Sequence, residues 1–208
     1  MKTLTYSIEF LTFWHTGSGL YGGVDANAAV IRDKEGFPFI PGKTIKGLLR
    51  EAGMFLSTLP ADFPPDFVNR IFGEATDKTG NKNTYGVNSC FFTNAELTAY
   101  VKEQLSPQTI ENGHTKAQVP NDENLKKKQS MLFEKIASTA IDENGQALDH
   151  SLRQMEVTIP LMLYGSITDF PDNEDDLAAL KKCLAWMKRL GMNRSRGLGR
   201  CVFNIQTD

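Results

Sequence analysis

Alternating apolar and polar positions predict strands at four places along the chain. Residues 4–13 alternate and are rich in Thr, Tyr, Phe and Ile, which favours an extended strand. The other predicted strands are 89–93, 155–168 and 200–205. Residues 29–32 and 36–40 also read as extended segments on either side of a turn.

A repeat of about 3.6 residues predicts two amphipathic helices, at residues 43–56 and 175–190. In the first, the apolar positions that share a face are Ile45, Leu48, Leu49, Ala52 and Phe55. In the second they are Leu177, Leu180, Cys183, Leu184, Met187 and Leu190. A shorter helix is expected at 67–72.

The order strand, helix, strand, excursion, strand, helix, strand predicts an α+β fold. It is typical of a ferredoxin-like (RRM-like) βαββαβ sheet with both helices on one face. The length suits one domain over 1–208, with a variable insertion at about 98–150. Within that insertion, 98–135 is polar and expected to be partly helical or flexible, and Asp142–Gly145 predicts a hairpin turn. Residues 77–88 are expected to be mobile.

Charge is segregated along the chain although the formal net charge is only −2. Residues 169–176 hold five acidic and no basic residues, whereas 181–200 hold seven basic and no acidic residues. The acidic cluster suits the positive end of a helix dipole. The basic stretch can hold a polyanion while the whole chain stays near neutral.

Cysteine and hydropathy patterns favour a cytoplasmic protein. The three cysteines are isolated and odd in number, which suggests reduced thiols, and they show no metal-ligand spacing. No apolar run approaches the roughly 20 residues of a membrane helix, and the first residues lack the features of a signal peptide. We therefore expect no membrane partner.

The first candidate binding segment is the start of the first helix. A turn at Pro41 and Gly42 delivers the chain into a helix whose first turn carries Lys43 and Lys46. Free backbone N–H groups and the helix dipole favour an anion there, and Arg50 adds charge one turn later. Lys43, Lys46 and Arg50 are therefore predicted RNA contacts. The alternative is an ordinary basic helix start followed by a core helix.

Gly47 lies inside this helix, where glycine costs about 1 kcal/mol relative to alanine. A glycine at this position predicts that a neighbouring group or a bound partner closely approaches the backbone there, as at Gly42. Gly42-Lys43-Thr44 resembles the end of a phosphate-binding NTPase loop, but that motif needs a glycine five residues before Gly42. Position 37 is Phe37, so NTP hydrolysis is not expected.

The second segment is the glycine- and arginine-rich stretch 191–200, between the second helix and the last strand. Its glycines let the backbone approach a phosphate chain, and its arginines supply forked donors. The predicted RNA contacts are Arg194, Ser195, Arg196 and Arg200, with Gly197 and Gly199 as points of close backbone approach. A simple helix end plus turn explains Gly191 but not the arginines.

Together these segments resemble the RAMP superfamily of CRISPR proteins. The first looks like that family's Pro-Gly-Ser-Ser-Leu-Lys-Gly helix start, with Lys43-Thr44-Ile45 in place of the hydroxyl pair and leucine, and the second like its C-terminal glycine-rich loop. The stretch from Gly22–Asp25 to Gly36–Pro38 looks most like the repeated backbone subunit of type III effectors, the Cas-seven group. Further similar stretches are Ile71–Gly73, Ala140–Ala147 and Met155–Val157.

The resemblance implies an RRM-like palm with an inserted β-hairpin thumb and lid segments. It implies an antiviral CRISPR effector in which copies of the subunit stack along guide RNA, with target RNA and other subunits as partners. In that family, the aspartate of the Gly-Gly-x-Asp loop cuts target RNA with a divalent metal. Here that residue is Asp25, which makes it the implied catalytic residue and ligand of Mg²⁺ or Mn²⁺.

The sequence leaves three roles open. The chain is a backbone subunit with metal-dependent endoribonuclease activity at Asp25, a purely architectural RNA-binding subunit, or a guide-precursor-processing endoribonuclease that uses His15 as general acid/base. A lone histidine beside a glycine loop more commonly packs or hydrogen bonds. The run Lys126–Lys128 is either a solvated surface or an RNA contact. A small-molecule enzyme on a similar fold would need a cofactor motif, which the sequence lacks.

Overall fold

A computed structural model of the chain describes residues 1–17, 28–59, 63–73, 89–105, 108–111, 114–117 and 129–206. Its strands are β1 (Lys2–Phe10), β2 (Phe91–Phe92), β3 (Gln108–Glu111), β4 (His114–Ala117), β5 (Phe133–Ser138), β6 (Arg153–Thr158), β7 (Met162–Phe170) and β8 (Cys201–Gln206). Its helices are α1 (Gly42–Leu56), α2 (Phe67–Phe72), α3 (Ala99–Leu105) and α4 (Glu174–Trp186). None of the helices in these ranges is long and apolar enough to cross a membrane.

The central layer is a four-stranded antiparallel sheet in the order β2-β7-β1-β8. β1 is an inner strand, so Tyr6 lies opposite Gly165 on one side and Ile205 on the other. α1 connects β1 to β2, and α4 connects β7 to β8. The predicted α+β fold is confirmed, and the strands pair in the order expected of the βαββαβ arrangement.

Both helices lie on the same face of the sheet, as predicted, because they contact each other as well as the core. Alternate residues of β1 are buried beneath them, and burial of these apolar side chains is the main stabilising term. The buried residues of β1, α1 and α4 in this core are Leu4, Tyr6, Ile8, Phe10, Ile45, Leu49, Ala52, Leu177, Ala179, Leu180, Cys183 and Leu184.

The predicted long strand at 155–168 is wrong, because the chain divides there into β6 and β7. Pro160 lies between the two strands and has no backbone N–H to donate to a ladder. β6 pairs with β5 in a separate two-stranded sheet, whereas β7 pairs with β1 in the main sheet. This break lets the chain leave the β5–β6 hairpin and enter the main four-stranded sheet.

The second helix also ends earlier than predicted, at Trp186 rather than residue 190. Met187 has an extended backbone (ψ 99°), and the chain then runs antiparallel to the start of the last strand. The N–H of Leu190 donates to the carbonyl of Gly199 at 2.8 Å. The apolar periodicity continues past the helix because Met187 and Leu190 remain buried in the extended conformation.

Two predicted strands are shorter than expected. β1 ends at Phe10, because Phe13 contacts the glycine-rich loop instead of a neighbouring strand. The carbonyl of Phe13 accepts a hydrogen bond from the N–H of Gly199. β2 comprises only Phe91–Phe92, since Thr93 and Ala95 make isolated backbone bonds to Ser166 and Ile40.

Residues 98–158, which are the predicted insertion and the strand after it, contain α3, the β3–β4 hairpin and the β5–β6 hairpin. At the far end of the latter, the Asp142 carboxylate accepts from the N–H groups of Asn144 and Gln146, and Gly145 has φ +80°. The predicted turn at 142–145 is therefore confirmed. The segments 77–88 and Lys126–Lys128 lie outside the described residues.

Candidate RNA-binding surface

α1 presents a basic stripe on the side away from the core. Lys43, Gly47 and Arg50 follow one another at helical spacing, whereas Ile45 and Leu49 face the interior. Gly47 is exposed, and apart from its chain neighbours and the backbone of its own helix, no heavy atom of the described residues lies within 4 Å of where its Cβ would be. The stripe therefore exposes helix backbone between two cations.

The start of α1 is less open than the sequence suggested. The N–H of Gly42 donates to Asn94 Oδ1 at 3.1 Å, and that of Thr44 to the carbonyl of Pro41 at 2.9 Å. Gly42 does make a close approach, but to the backbone of Phe92 in the chain's own β2. Donors that are already satisfied are not available to an external anion. The exposed side chain of Lys43 is therefore the main anion-binding group at the start of α1.

Lys46, predicted as an RNA contact, bonds inside the protein. Its Nζ donates to Ser89 Oγ at 3.2 Å and to the carbonyl of Cys90 at 2.9 Å. Burial lowers the pKa of this ammonium, partly offset by Cys90. Its contacts assign it to holding residues 89–90 against α1.

The glycine- and arginine-rich loop is held at its base by close backbone contacts. Gly191, at φ +98°, lies over the backbone of His15, whose carbonyl accepts from the N–H of Met192 at 2.9 Å. Gly199, at φ +72°, lies against the carbonyl of Leu190. Both positions require glycine for two reasons. A Cβ would overlap a neighbouring backbone atom, and the left-handed backbone conformation is unfavourable for other residues.

The tip of this loop projects into solvent. Asn193 is left-handed (φ 54°), and a single 3₁₀ turn, Arg194–Arg196, follows it. Arg194, Ser195, Arg196, Gly197 and Arg200 are all exposed. Gly197 has φ +87° and open space around it, so the predicted close approach at this position is free for an external partner.

A groove of about 330 Å³ lies between α1 and the end of α4, and Arg194 of the loop lines it. The α1 side of this groove is formed by Leu48, Glu51, Ala52 and Phe55, and the other side by Trp186, Met187, Lys188, Arg189 and Arg194. The guanidinium of Arg189 donates to the carbonyl of Arg194 at 3.0 Å and so ties the loop tip to the groove. We call this feature the α1–α4 groove.

The apolar periodicity of the chain does not reveal the aromatic part of the α1–α4 groove. The rings of Phe55 and Trp186 lie 5.2 Å apart between centroids, although they are far apart in the sequence. Phe55 had been counted with the core face of α1, yet it is 48% exposed. The basic composition of 181–200 was the available signal for Lys188 and Arg189.

Of the two catalytic candidates, the structure describes His15 but not Asp25. His15 is fully buried, and its Nδ1 donates to the carbonyl of Glu156 at 2.7 Å, which points to a structural role. Asp25 lies outside the described residues. Within the ranges that are described, no three His, Cys, Asp or Glu side chains converge as metal ligands. These residues therefore provide no ligand set for the predicted Mg²⁺ or Mn²⁺.

Beyond the segment that contains Asp25, the chain is fixed to the β5–β6 hairpin. The guanidinium of Arg32 pairs with the Glu156 carboxylate and lies 3.8 Å from the ring centroid of Phe133. The same carboxylate accepts from the N–H of Val30 at 3.0 Å. These contacts anchor residues 30–32 at the base of β5 and β6.

Comparison with known proteins agrees with this arrangement. In fold, the chain is similar to one in the cryo-EM structure of type III-B Cmr-beta bound to cognate target RNA, with TM-score 0.66, 14% identity, and 99% of this chain and 97% of that chain covered. A chain in the apo state of type III-B Cmr-beta gives TM-score 0.66 and 13% identity, with 99% and 98% covered. Comparison with curated proteins found no match in sequence. The profile of the RAMP superfamily matches residues 7–202, and the chain therefore belongs to the RAMP superfamily.

Proposed function

We propose that this chain is a guide-RNA-binding backbone subunit of a type III CRISPR ribonucleoprotein. The observation that carries the proposal is the exposed arginine- and glycine-containing loop, whose Arg194 lines the α1–α4 groove beside Lys188 and Arg189. α1, which also carries the basic stripe, forms one wall of the groove, and Arg194 of the Arg194–Arg196 turn lines the other wall.

This surface suits the backbone of a nucleic acid. Exposed guanidinium groups bind phosphate through paired hydrogen bonds, and the open backbone at Gly47 and Gly197 admits a strand without side-chain obstruction. Phosphate contacts position a strand but carry no sequence information. A subunit that must accept any guide sequence needs binding of this kind.

The partners follow from the family and from the similar structures. Type III-B Cmr-beta is recorded both free and bound to cognate target RNA. By analogy, the partners of this chain are guide RNA, target RNA, other subunits of an effector complex and copies of itself along the guide. The β5–β6 hairpin corresponds to the thumb that the resemblance implies.

The test is RNA affinity as a function of salt, measured by fluorescence anisotropy of a labelled single strand. Removing Arg194 and Arg196 together should weaken binding for every sequence and reduce the slope of log affinity against log salt by about 1.4, at roughly 0.7 per phosphate contact. The matched control is K34A with K135A, which removes the same charge from exposed positions outside the loop and outside the basic stretch 181–200. If R194A/R196A behaves like the control, the proposal fails.

Target cleavage is a finer proposal, supported by the family resemblance around Gly22–Asp25. In it, Asp25 binds Mg²⁺ or Mn²⁺, which would supply charge neutralisation at the scissile phosphate. A purely architectural subunit differs only in lacking this activity. Guide processing by His15 is less well supported, because a fully buried imidazole does not reach a strand on the surface.

A further inference from the structure

Two large aromatic rings are exposed side by side on the α1–α4 groove. Phe55 is 48% exposed and Trp186 is 51% exposed, with the planes of their rings inclined by 31°. The rings are in contact, so each covers part of its neighbour and leaves the rest open. The other tryptophan, Trp14, is fully buried and stacks on Phe10.

Cations surround this pair. Lys188, Arg189 and Arg194 line the groove beside the rings, against the single carboxylate of Glu51. An exposed aromatic pair facing an apolar protein partner would more commonly have a rim of mixed charge. An aromatic surface with a predominantly basic rim is the combination that holds single-stranded nucleic acid, since bases stack on rings while cations bind phosphates.

The groove is also continuous with the proposed RNA-binding loop. Arg194 belongs to the loop and lines the groove, and its carbonyl is fixed by Arg189 at 3.0 Å. A strand that follows Arg194 and Arg196 therefore passes within reach of the exposed rings.

We propose that Phe55 and Trp186 form a stacking platform for one base of the bound RNA, whose adjoining phosphate lies on Arg189 and Arg194. This inference rests on the proposed function and adds a base contact to it. Because every base has a π-face, the platform tolerates any sequence, and its preference among bases follows stacking strength alone. It fixes the position of one nucleotide in each subunit without reading its identity.

The experiment compares an all-adenine RNA with an oligonucleotide of equal length that has a ribose-phosphate backbone and no bases. W186A should weaken binding of the adenine strand about 10-fold and leave the baseless strand unaffected. W186F, which keeps a ring, should restore most of the affinity. Since Trp186 is half exposed, both variants are expected to fold, which circular dichroism verifies.

Tryptophan emission provides an independent readout. In the wild type, the adenine strand should quench the emission of Trp186 and the baseless strand should not. W186F retains only buried Trp14 and supplies the background signal.

The outcomes separate the platform from the proposed function. If W186A binds both strands as the wild type does and emission is unchanged by RNA, the platform is wrong, while a loss caused by R194A/R196A would keep the proposed function. Emission that responds to protein concentration but not to RNA would assign the groove to contact between copies and also overturn the platform. Failure of R194A/R196A to affect either strand would remove the proposed function itself.

Discussion

Gly199 lies directly against the carbonyl oxygen of Leu190, so close that a side chain at position 199 would overlap that oxygen. In the opposite direction, the carbonyl of Gly199 accepts from the N–H of Leu190 at 2.8 Å. This contact closes the base of the loop that carries the exposed arginines. Gly199 is therefore a structural glycine, whereas Gly197 has no close neighbour.

This difference predicts unequal losses of stability for two alanine substitutions in one loop. G197A should cost about 1–2 kcal/mol of unfolding free energy, because only the left-handed backbone is penalised. G199A adds overlap with backbone and should cost at least about 2 kcal/mol more. Urea unfolding measures both, and equal costs would contradict the contact.

Lys43 and Lys46 should separate binding from stability. K43A removes an exposed cation and should reduce the salt slope of RNA binding by about 0.7 without loss of stability, since alanine is a good helix former. K46A removes the donor to the carbonyl of Cys90 and should cost about 1 kcal/mol of unfolding free energy, with a smaller effect on RNA. Anisotropy and urea unfolding on both variants check this. The reverse pattern would restore Lys46 as a phosphate contact.

Local patterns predicted most of the fold, because the helices and the palm strands have clear apolar periodicity. They failed where the chain's partner is distant in sequence. The last residues of the predicted second helix are as apolar as a helix would require, but Gly199 provides a backbone partner that converts them into an extended arm. Likewise, nothing near Lys46 indicates that residues 89–90 would engage its ammonium.

The same limit applies to the candidate site. The charges of the loop and of α1 were predictable, since each is contiguous in sequence. The groove between them was not, because it depends on how α1 packs against α4 and places Phe55 beside Trp186.

Asp25→Ala is the test of cleavage in the assembled complex. If Asp25 holds the metal, D25A should abolish cutting of target RNA while RNA affinity stays at the wild-type level, and EDTA should abolish cutting by the wild type. D172A, which removes a carboxylate whose side chain is 80% exposed, is the control. Undiminished cutting by D25A would assign the chemistry elsewhere.

Assembly should depend on RNA. One copy offers only a short basic path, so we expect a monomer or weak oligomer alone and multimers on a long single strand. Light scattering should show growth with the long strand but not with an oligonucleotide too short for two copies. R194A/R196A should require higher protein concentrations to grow, and absence of growth in the wild type would count against a backbone role.

The central position of β1 also has a consequence for biosynthesis. Its partners are Met162–Phe170 and Cys201–Gln206, so β1 pairs with segments that are synthesised much later. At 5–20 residues per second, roughly 8–30 s pass before β7 is available. During that interval the apolar side of β1 has no sheet to join, which exposes it to aggregation and to chaperones. Its folding is therefore expected to be slow, since such long-range pairing must wait for the synthesis of β7 and β8.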